Sequence, residues 1–358
     1  MNTYAIALLP LSFEVETNQV LKKAIQANKK IAELKGIAQT IPSQSLLLNT
    51  LAIQESKDSS EIESIVTTHD ELFSFSKEST EKFSPAAKEV FSYNEALFYG
   101  FNALKDGAIT NNLLIEISQL VTKRNTGFRN TMGTHLKDIH DNIIYSPPQI
   151  ESDIWKLMTN LEEFINNSEL SNLDPLVKMA IIHHQFESIH PFFDGNGRTG
   201  RILNILYLIQ EGVLDIPVLY VSRYLIKNKA TYYKLLQQVR DENSGEAWEE
   251  WVLFILDALE STATQAIDMI ESIKELLSAF KGRIRNETKF YSHELINNLF
   301  SHPYTTVDFM MKDLKVSRLT TSKYLNILVD IDLLKKEKVG KTNYYINTKL
   351  VSLFSELH

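Results

Sequence analysis

The chain has 358 residues, 44% of them hydrophobic and 23% charged, with 37 Lys plus Arg against 45 Asp plus Glu and a net charge of −8. That length suits about two or three domains, the composition excludes disordered and fibrous classes, and the acidic balance excludes a chain coated overall by nucleic acid while leaving room for one basic domain. Cysteine is absent, which removes disulfides, thiolate nucleophiles and Cys-ligated zinc.

The opening residues lack a basic n-region and reach Pro10 and Glu14 early, so no secretory leader is expected. No stretch approaches the roughly 18–20 uncharged apolar residues of a membrane span. The expectation is a soluble cytoplasmic protein with no membrane partner. Only 12 Gly and 9 Pro, among many Leu, Ile, Lys, Glu and Gln, predict a mainly α fold. The first helix is predicted over Glu16–Leu34, with Val20, Leu21, Ala24, Ile25, Ile31 and Leu34 at helical spacing and Gly36 as C-cap. A second is predicted from about Ser43 to Ser56, and a third begins near Ser59. Further helices are expected over 82–107, 110–122, 153–167, 174–189, 199–211, 220–228, 230–241 and 246–287.

Residues 125–150 carry Gly, Asn, Asp and two adjacent prolines and read as a hairpin turning near Asp138–Asn142. Ile143, Ile144 and Tyr145 suit an exposed edge strand, and an ordinary surface loop is the plain alternative. From Lys281 onward there are 13 Lys plus Arg against 8 Asp plus Glu, so this unit is +5 and the rest −13. The sign change marks a domain boundary. Helices are predicted there over 292–299, 306–314 and 317–331, the last two joined by the short turn Lys315-Val316. Short strands follow over 334–338 and 343–346 across Gly340-Lys341. This order resembles a winged helix. Arg318, Thr320, Thr321, Ser322 and Lys323 on the second long helix and Lys335, Lys336, Lys338 and Lys341 on the wing suit DNA contact. A protein-binding or dimerising unit is the alternative.

The most informative stretch is His190 to Arg201, HPFFDGNGRTGR. Pro191 stops the preceding helix, so His190 sits where a helix opens into a loop. A glycine-bearing loop feeding a helix start presents backbone N–H groups to an anion. Arg198 and Arg201, three apart, can clamp phosphates. Asp194 is an oxygen ligand suited to Mg²⁺, and His190 is a candidate general base. Gly195, Gly197 and Gly200 also spell a dinucleotide-binding GxGxxG, but a helix precedes them where that fingerprint needs a strand. His183 and His184 read as structural or surface residues, Phe192 and Phe193 as core anchors.

This stretch resembles the Fic family signature H-x-F-x-D/E-G-N-G-R-x-x-R at His190, Phe192, Asp194, Gly195, Asn196, Gly197, Arg198 and Arg201. The resemblance covers about residues 5 to 275. It implies a Fic-fold helical bundle with a small β-hairpin flap, followed by the C-terminal winged-helix domain. The corresponding division is 1–100 (with an inhibitory helix), 101–280 (catalytic core) and 281–358. The activity implied is transfer of AMP from ATP to a Ser, Thr or Tyr hydroxyl of a protein, the chain itself included. His190 would deprotonate the hydroxyl, and Asp194 would hold Mg²⁺. ATP would be bound by Glu63, Gly195, Asn196, Gly197, Arg198, Thr199, Gly200 and Arg201, and the nucleotide base by Tyr233 rather than Tyr232. Ile143, Ile144 and Tyr145 would form the flap that pairs with the target's backbone.

Ser59-Ser60-Glu61-Ile62-Glu63-Ser64 reads by itself as a capping-type helix start with acidic residues at the positive end of the dipole. It also resembles the family's inhibitory pattern S/T-x-x-x-E-G/N at Ser59 and Glu63, with Ser64 departing from Gly or Asn. That resemblance implies that Glu63 pairs with Arg201 and blocks a productive γ-phosphate pose. Relatives often form dimers, so a homodimer is a further expectation. The rival reading is a DNA-binding regulator whose core binds nucleotide without turnover.

Overall fold

A computed structural model describes residues 6–41, 44–68, 71–72, 83–105, 107–137, 140–339 and 342–355. Helices dominate: α1 (Asn18–Ala38), α2 (Gln44–Ile62), α3 (Pro85–Ala103), α4 (Asn111–Thr122), α5 (Glu151–Asn166), α6 (Pro175–Ile189) and α7 (Asn196–Gln210) come first. Then follow α8 (Ser222–Lys227), α9 (Lys229–Glu242), α10 (Gly245–Glu287), α11 (His293–Ser301), α12 (Val307–Leu314), α13 (Arg318–Asp330) and α14 (Thr348–Ser355). Between α4 and α5, β1 (Leu136–Lys137) and β2 (Ile143–Tyr145) pair antiparallel with a bulge after Leu136. In the C-terminal region β3 (Tyr304–Thr305), β4 (Lys335–Val339) and β5 (Thr342–Ile346) form an antiparallel sheet of order β3-β5-β4. No helix among the described residues is long and apolar enough to cross a membrane.

The helix starts obey their caps. The side chains of Thr17, Ser84, Thr110, Asp174 and Ser244 each accept a backbone N–H in the first turn that follows. The ends are less faithful to the sequence pattern. Gly36 does not stop α1, which runs on to Ala38, because a single interior glycine costs only about 1 kcal/mol and the buried Ala38 repays its continuation. The break expected between Ser56 and Ser59 is absent, and α2 is one helix. Ser59 therefore lies inside it and caps nothing.

At the centre, α6 is buried on all sides and antiparallel neighbour α7 leaves it through the loop 190–195. A Cβ on Gly200 would come 2.9 Å from the Phe186 ring and 2.8 Å from Glu187 Oε1, so that glycine lets the two helices approach. The polar end of α2 faces this junction, and α3, α8 and α9 close around it. The apolar core continues without interruption along α10 into α11, α13 and α14. Two C-terminal elements, β3 and α14, have no counterpart in the sequence reading; both are too short for a periodic signal. The turn Gly340-Lys341 and the tip residues Asp138 and Ile139 of the hairpin lie outside the described residues.

Candidate nucleotide and transfer site

His190 ends α6 with left-handed backbone angles, φ 49° and ψ 58°, and its N–H still bonds to Phe186 O at 2.9 Å. A non-glycine residue holds that conformation only under outside constraint. Arg129, wholly buried, supplies it: Nε donates to His190 O at 2.7 Å, Nη2 to Pro148 O at 2.6 Å, and its N–H to Pro191 O at 2.8 Å. One guanidinium thus joins the base of the hairpin to the turn that carries the imidazole. Burial, with the positive charges of Arg240 and Arg129 behind it, pushes the His190 imidazole down to about 3 against the Glu187 carbonyl. The ring is thereby held neutral, the form a general base starts from, and taking a proton there requires the negative charge of bound phosphates to offset that penalty.

The loop beyond is held by Asn196, whose side chain accepts from Phe192 N–H and donates to Phe192 O, both at 2.8 Å. Phe192 is buried against Phe128 and Phe186 as expected, whereas Phe193 is 47% exposed and anchors nothing. Gly195 adopts φ 74° and caps α7, and a Cβ there would lie 2.8 Å from Thr122 Cγ2. The helix begins at Asn196, earlier than the spacing suggests, so 196–198 form its first turn with N–H groups ahead of the first intrahelical bond. Thr199 is fully buried, its N–H bonds to Gly195 O at 2.9 Å, and its Oγ1 makes no hydrogen bond among the described residues. Gly200 lies against Phe186 and Glu187 of α6.

Both signature arginines are buried and both already hold carboxylates. Arg198 Nη1 donates to Glu89 Oε2 of α3 at 2.6 Å, and its Nη2 lies 3.5 Å from Asp194 Oδ1. Arg201 donates through Nε to Ser59 Oγ and through Nη2 to Ser59 O, each at 2.8 Å, and through Nη2 to Glu63 Oε1 at 3.0 Å. Burial alone would lower the Arg201 pKa, but Glu63 and the surrounding oxygens raise it above the ordinary guanidinium range. The expected Ser59–Glu63–Arg201 cluster is therefore assembled, at the C-terminal end of a helix and not at a start. A Cβ on Gly197 would collide with Glu63 Oε1. The Glu63 carboxylate stands against the N-terminus of α7, where the helix favours an anion.

The backbone explains the residue after Glu63. Ile65 N–H bonds to Ser60 O at 3.0 Å and Ser64 N–H to Glu61 O at 2.9 Å, while Ser64 takes φ 65°. This is a Schellman ending, whose left-handed position favours Gly or Asn. The pattern E-G/N is thus a helix-stop requirement that fixes where the glutamate points. Lys229 Nζ completes the end by donating to Ile62 O at 2.7 Å.

Asp194 is half-exposed, and its Oδ1 accepts from Gly195 N–H at 2.7 Å. No group of three metal-binding side chains occurs among the described residues. A single outward carboxylate beside an anion-favouring helix end fits Mg²⁺, which keeps waters and phosphates as its other ligands. Tyr232 is buried, its OH 3.1 Å from His183 Nε2, while Tyr233 is 40% exposed and feels the charges of Glu63 and Arg201 first after burial, which pushes it up to about 12. His183 and His184 are both buried and hydrogen-bonded, hence structural.

The hairpin corrects one residue. Ile143 and Ile144 are exposed, but Tyr145 is buried, donates to Ser188 O at 2.7 Å and lies under Arg240, whose guanidinium carbon is 3.9 Å from the ring centroid. Tyr145 ties the hairpin to α6 through its buried side chain. Arg240 also donates to Glu187 O and Ser188 Oγ. Sequence reasoning misses Arg129, Arg240 and Glu89, because each reaches the site from a distant segment with no spacing to betray it.

Residues 21–102 match the Fic/DOC family N-terminal domain, 108–208 the Fic/DOC family and 276–350 the C-terminal domain of SoFic-like protein adenylyltransferases. The chain is similar to the protein adenylyltransferase Fic of Drosophila erecta and of Drosophila willistoni, 32% identical to each over 115 residues, a stretch that is 32% of this chain and 21% of the relative. It thus spans about a fifth of the length of these relatives. Its fold is similar to that of a Fic family protein from Desulfovibrio desulfuricans, with TM-score 0.59 and 17% identity over 94% of this chain and 98% of that one. It also resembles a Fic domain containing signaling protein from Bacteroides thetaiotaomicron, with TM-score 0.56 and 18% identity over 70% and 97% of the two chains. With three successive matched segments, a matching fold and the signature gathered at one helix junction, the chain belongs to the Fic/DOC family.

Proposed function

We propose that this protein is a nucleotidyltransferase that moves AMP from Mg-ATP to a hydroxyl side chain of a protein, itself included, and that Glu63 restrains the transfer. The observation that carries the reading is the meeting, at one helix junction, of a neutral imidazole, an outward carboxylate and two buried guanidinium groups. His190 accepts the hydroxyl proton as the oxygen attacks the α-phosphate, the bond from that phosphorus to the oxygen bridging to the β-phosphate breaks, and pyrophosphate leaves. The first turn of α7 and Arg198 take the negative charge that moves onto the phosphates. Asp194 is the residue that would hold Mg²⁺, which supplies further charge neutralisation. Tyr233 offers an accessible ring for the base. The exposed Ile143 and Ile144 of the hairpin suit pairing with an extended target segment.

Glu63 fits the role of a brake because a γ-phosphate needs the same guanidinium face that the carboxylate holds. The test is intact-mass analysis with Mg-ATP labelled at the α-phosphate. Glu63→Gly raises adenylyl incorporation by about tenfold, the worth of one charge-assisted hydrogen bond. His190→Ala lowers it by roughly two to four orders of magnitude. Incorporation that is unchanged in both variants refutes the reading.

The C-terminal unit supports a second activity. The order α12, short turn, α13, then the β4–β5 hairpin fits a winged helix, and Arg318, Lys323, Lys335 and Lys338 face solvent. We retain 281–358 as a DNA-contact domain on that ground, beside 1–100 and 101–280. Replacing Lys335, Lys336 and Lys338 by Ala should weaken duplex DNA in a mobility-shift assay and flatten its salt dependence.

A further inference from the structure

Beside the accessible carboxylates of Glu63, Asp194 and Glu89, the cleft holds a buried one for which the proposed chemistry has no task. Glu187 lies on α6, one turn before His190, and is 7% exposed. Its Oε1 is buried without a hydrogen-bond partner and faces Gly200, on the first turns of α7. A buried carboxylate oxygen without a donor is costly and calls for an explanation. On the facing helix, Arg201 gives Nε and Nη2 to Ser59 and Glu63, while its Nη1 makes no hydrogen bond among the described residues. An unused donor and an unused acceptor thus belong to adjacent helices, and their charges sense one another.

We propose that Glu187 is a positioning residue for Arg201: it competes with Glu63 for the one guanidinium, and it holds that guanidinium in place when Glu63 withdraws. The groups facing Glu187 are Arg201 on α7, Glu63 on α2 and Arg240 on α9, with Tyr232 and Tyr233 of α9 close enough to feel its charge. Burial first, then repulsion from Glu63, push its carboxyl up to about 7 against Arg201 and Arg240. Withdrawal of Glu63 removes the repulsion and frees the guanidinium, so Glu187 then releases its proton at lower pH. By linkage, the protonated form favours the Glu63–Arg201 pair and the ionised form favours the released arrangement. The restraint therefore loosens as pH rises toward about 7.

The proposal rests on the AMP-transfer reading only in calling Glu63 a brake, and its test needs no turnover. Calorimetric melting of the wild type, Glu63→Ala, Glu187→Gln and the double variant is compared at about pH 5.5 and about pH 8, on either side of the Glu187 titration. Near the lower pH, Glu63→Ala lowers Tm, because Arg201 loses its ionised partner. Near the higher pH the loss shrinks by about 2 °C, since Glu187 takes over the guanidinium. In the Glu187→Gln background the loss is the same at both. A Glu63→Ala loss that ignores pH overturns the proposal, and so does a pH dependence that survives in Glu187→Gln. Should Glu187→Gln fail to fold, Glu63 and Glu63→Ala are compared in a Glu55→Gln background, because Glu55 titrates in the same window and also feels Arg201, and a Glu63→Ala loss that ignores pH there overturns the proposal. A chain that melts as expected yet transfers no AMP sinks the enzymatic reading and leaves this one standing.

Discussion

Two helices of this protein are buried through long stretches, and they are buried by opposite means. In α6 every residue from Leu176 to Ile189 is buried, most of them apolar, and the helix is held by packing. In α2 the run Gln54, Glu55, Ser56, Lys57, Asp58, Ser59, Ser60 is buried without one apolar side chain. It is held by named partners: Glu55 by Tyr93 and Ser222, Asp58 by Arg223, Lys57 by Glu61, and Ser59 by Arg201. Apolar burial is non-directional and adds up over area. Each neutral hydrogen bond contributes only about 0.5–1.5 kcal/mol net, yet specifies a geometry. The comparison teaches that α6 is frame and this stretch of α2 a seated part, placed by directional and charged partners that specify its geometry.

The largest effects should come from the frame. Phe186 packs on Phe192 and against Gly200, so Phe186→Ala should cost about 3–5 kcal/mol. Urea unfolding measures it. On α2, Ser60 is equally buried, but its Oγ has no partner. Ser60→Ala should stay within about 0.5 kcal/mol of wild type, because it removes an unsatisfied hydroxyl. Equal costs at the two sites would erase the distinction between frame and seat.

That distinction also marks what the sequence could reveal. The frame was legible: caps such as Asp174, the apolar stripe through Phe186, and the stop at Pro191 are local signals. The signature residues from His190 to Arg201 were legible for the same reason, being contiguous. The seat was not. A run of polar residues in a helix suggests a break or a solvated face, and nothing in the order of residues 54–60 announces that Tyr93, Arg223 and Arg201 wait to satisfy them. Tyr145 failed in the same way, since a β-strand pattern does not tell that Arg240 and Ser188 O will bury its ring. Arg129 and Glu89 act at distances of dozens of residues along the chain, beyond any spacing rule.

An effect of middle size should separate the seat by its charge. Burial first pushes Glu55 up to about 7, with Asp58 adding to it, against the hydrogen bond from Ser222 and the charge of Arg201. A folded carboxyl raised above its unfolded value gives full stability below the unfolded pKa and loses it as pH rises through the folded one. Stability should therefore fall between roughly pH 4.5 and pH 7, by about 3 kcal/mol from this group. Glu187 contributes in the same window. Glu55→Gln keeps an acceptor for Tyr93 and Ser222 but cannot ionise, so it should remove about half of the decline and be more stable than wild type near pH 8. Denaturation midpoints across that range check it, and an undiminished slope would mean that the seat is not sensitive to the charge of Glu55.

The smallest effect bears on how sharply the seat aims its carboxylate. Ser64 holds φ 65° at the Schellman position directly after Glu63, a conformation that costs an L-residue roughly 1–2 kcal/mol relative to glycine. Some of that cost is offset by the greater freedom glycine has in the unfolded chain. Ser64→Gly should therefore stabilise the protein by about 0.5–1 kcal/mol. Ser64→Val, with a branched Cβ at the same angle, should destabilise it by more than that amount. The side chain of Ser64 is exposed, so lost packing cannot account for either change. With the strain relieved, the turn that points Glu63 at Arg201 becomes better populated, and adenylyl incorporation should fall modestly in Ser64→Gly and rise in Ser64→Val. If the two variants change stability in these directions while incorporation moves with neither, the helix ending fixes the backbone alone and the aim of Glu63 is set by Arg201.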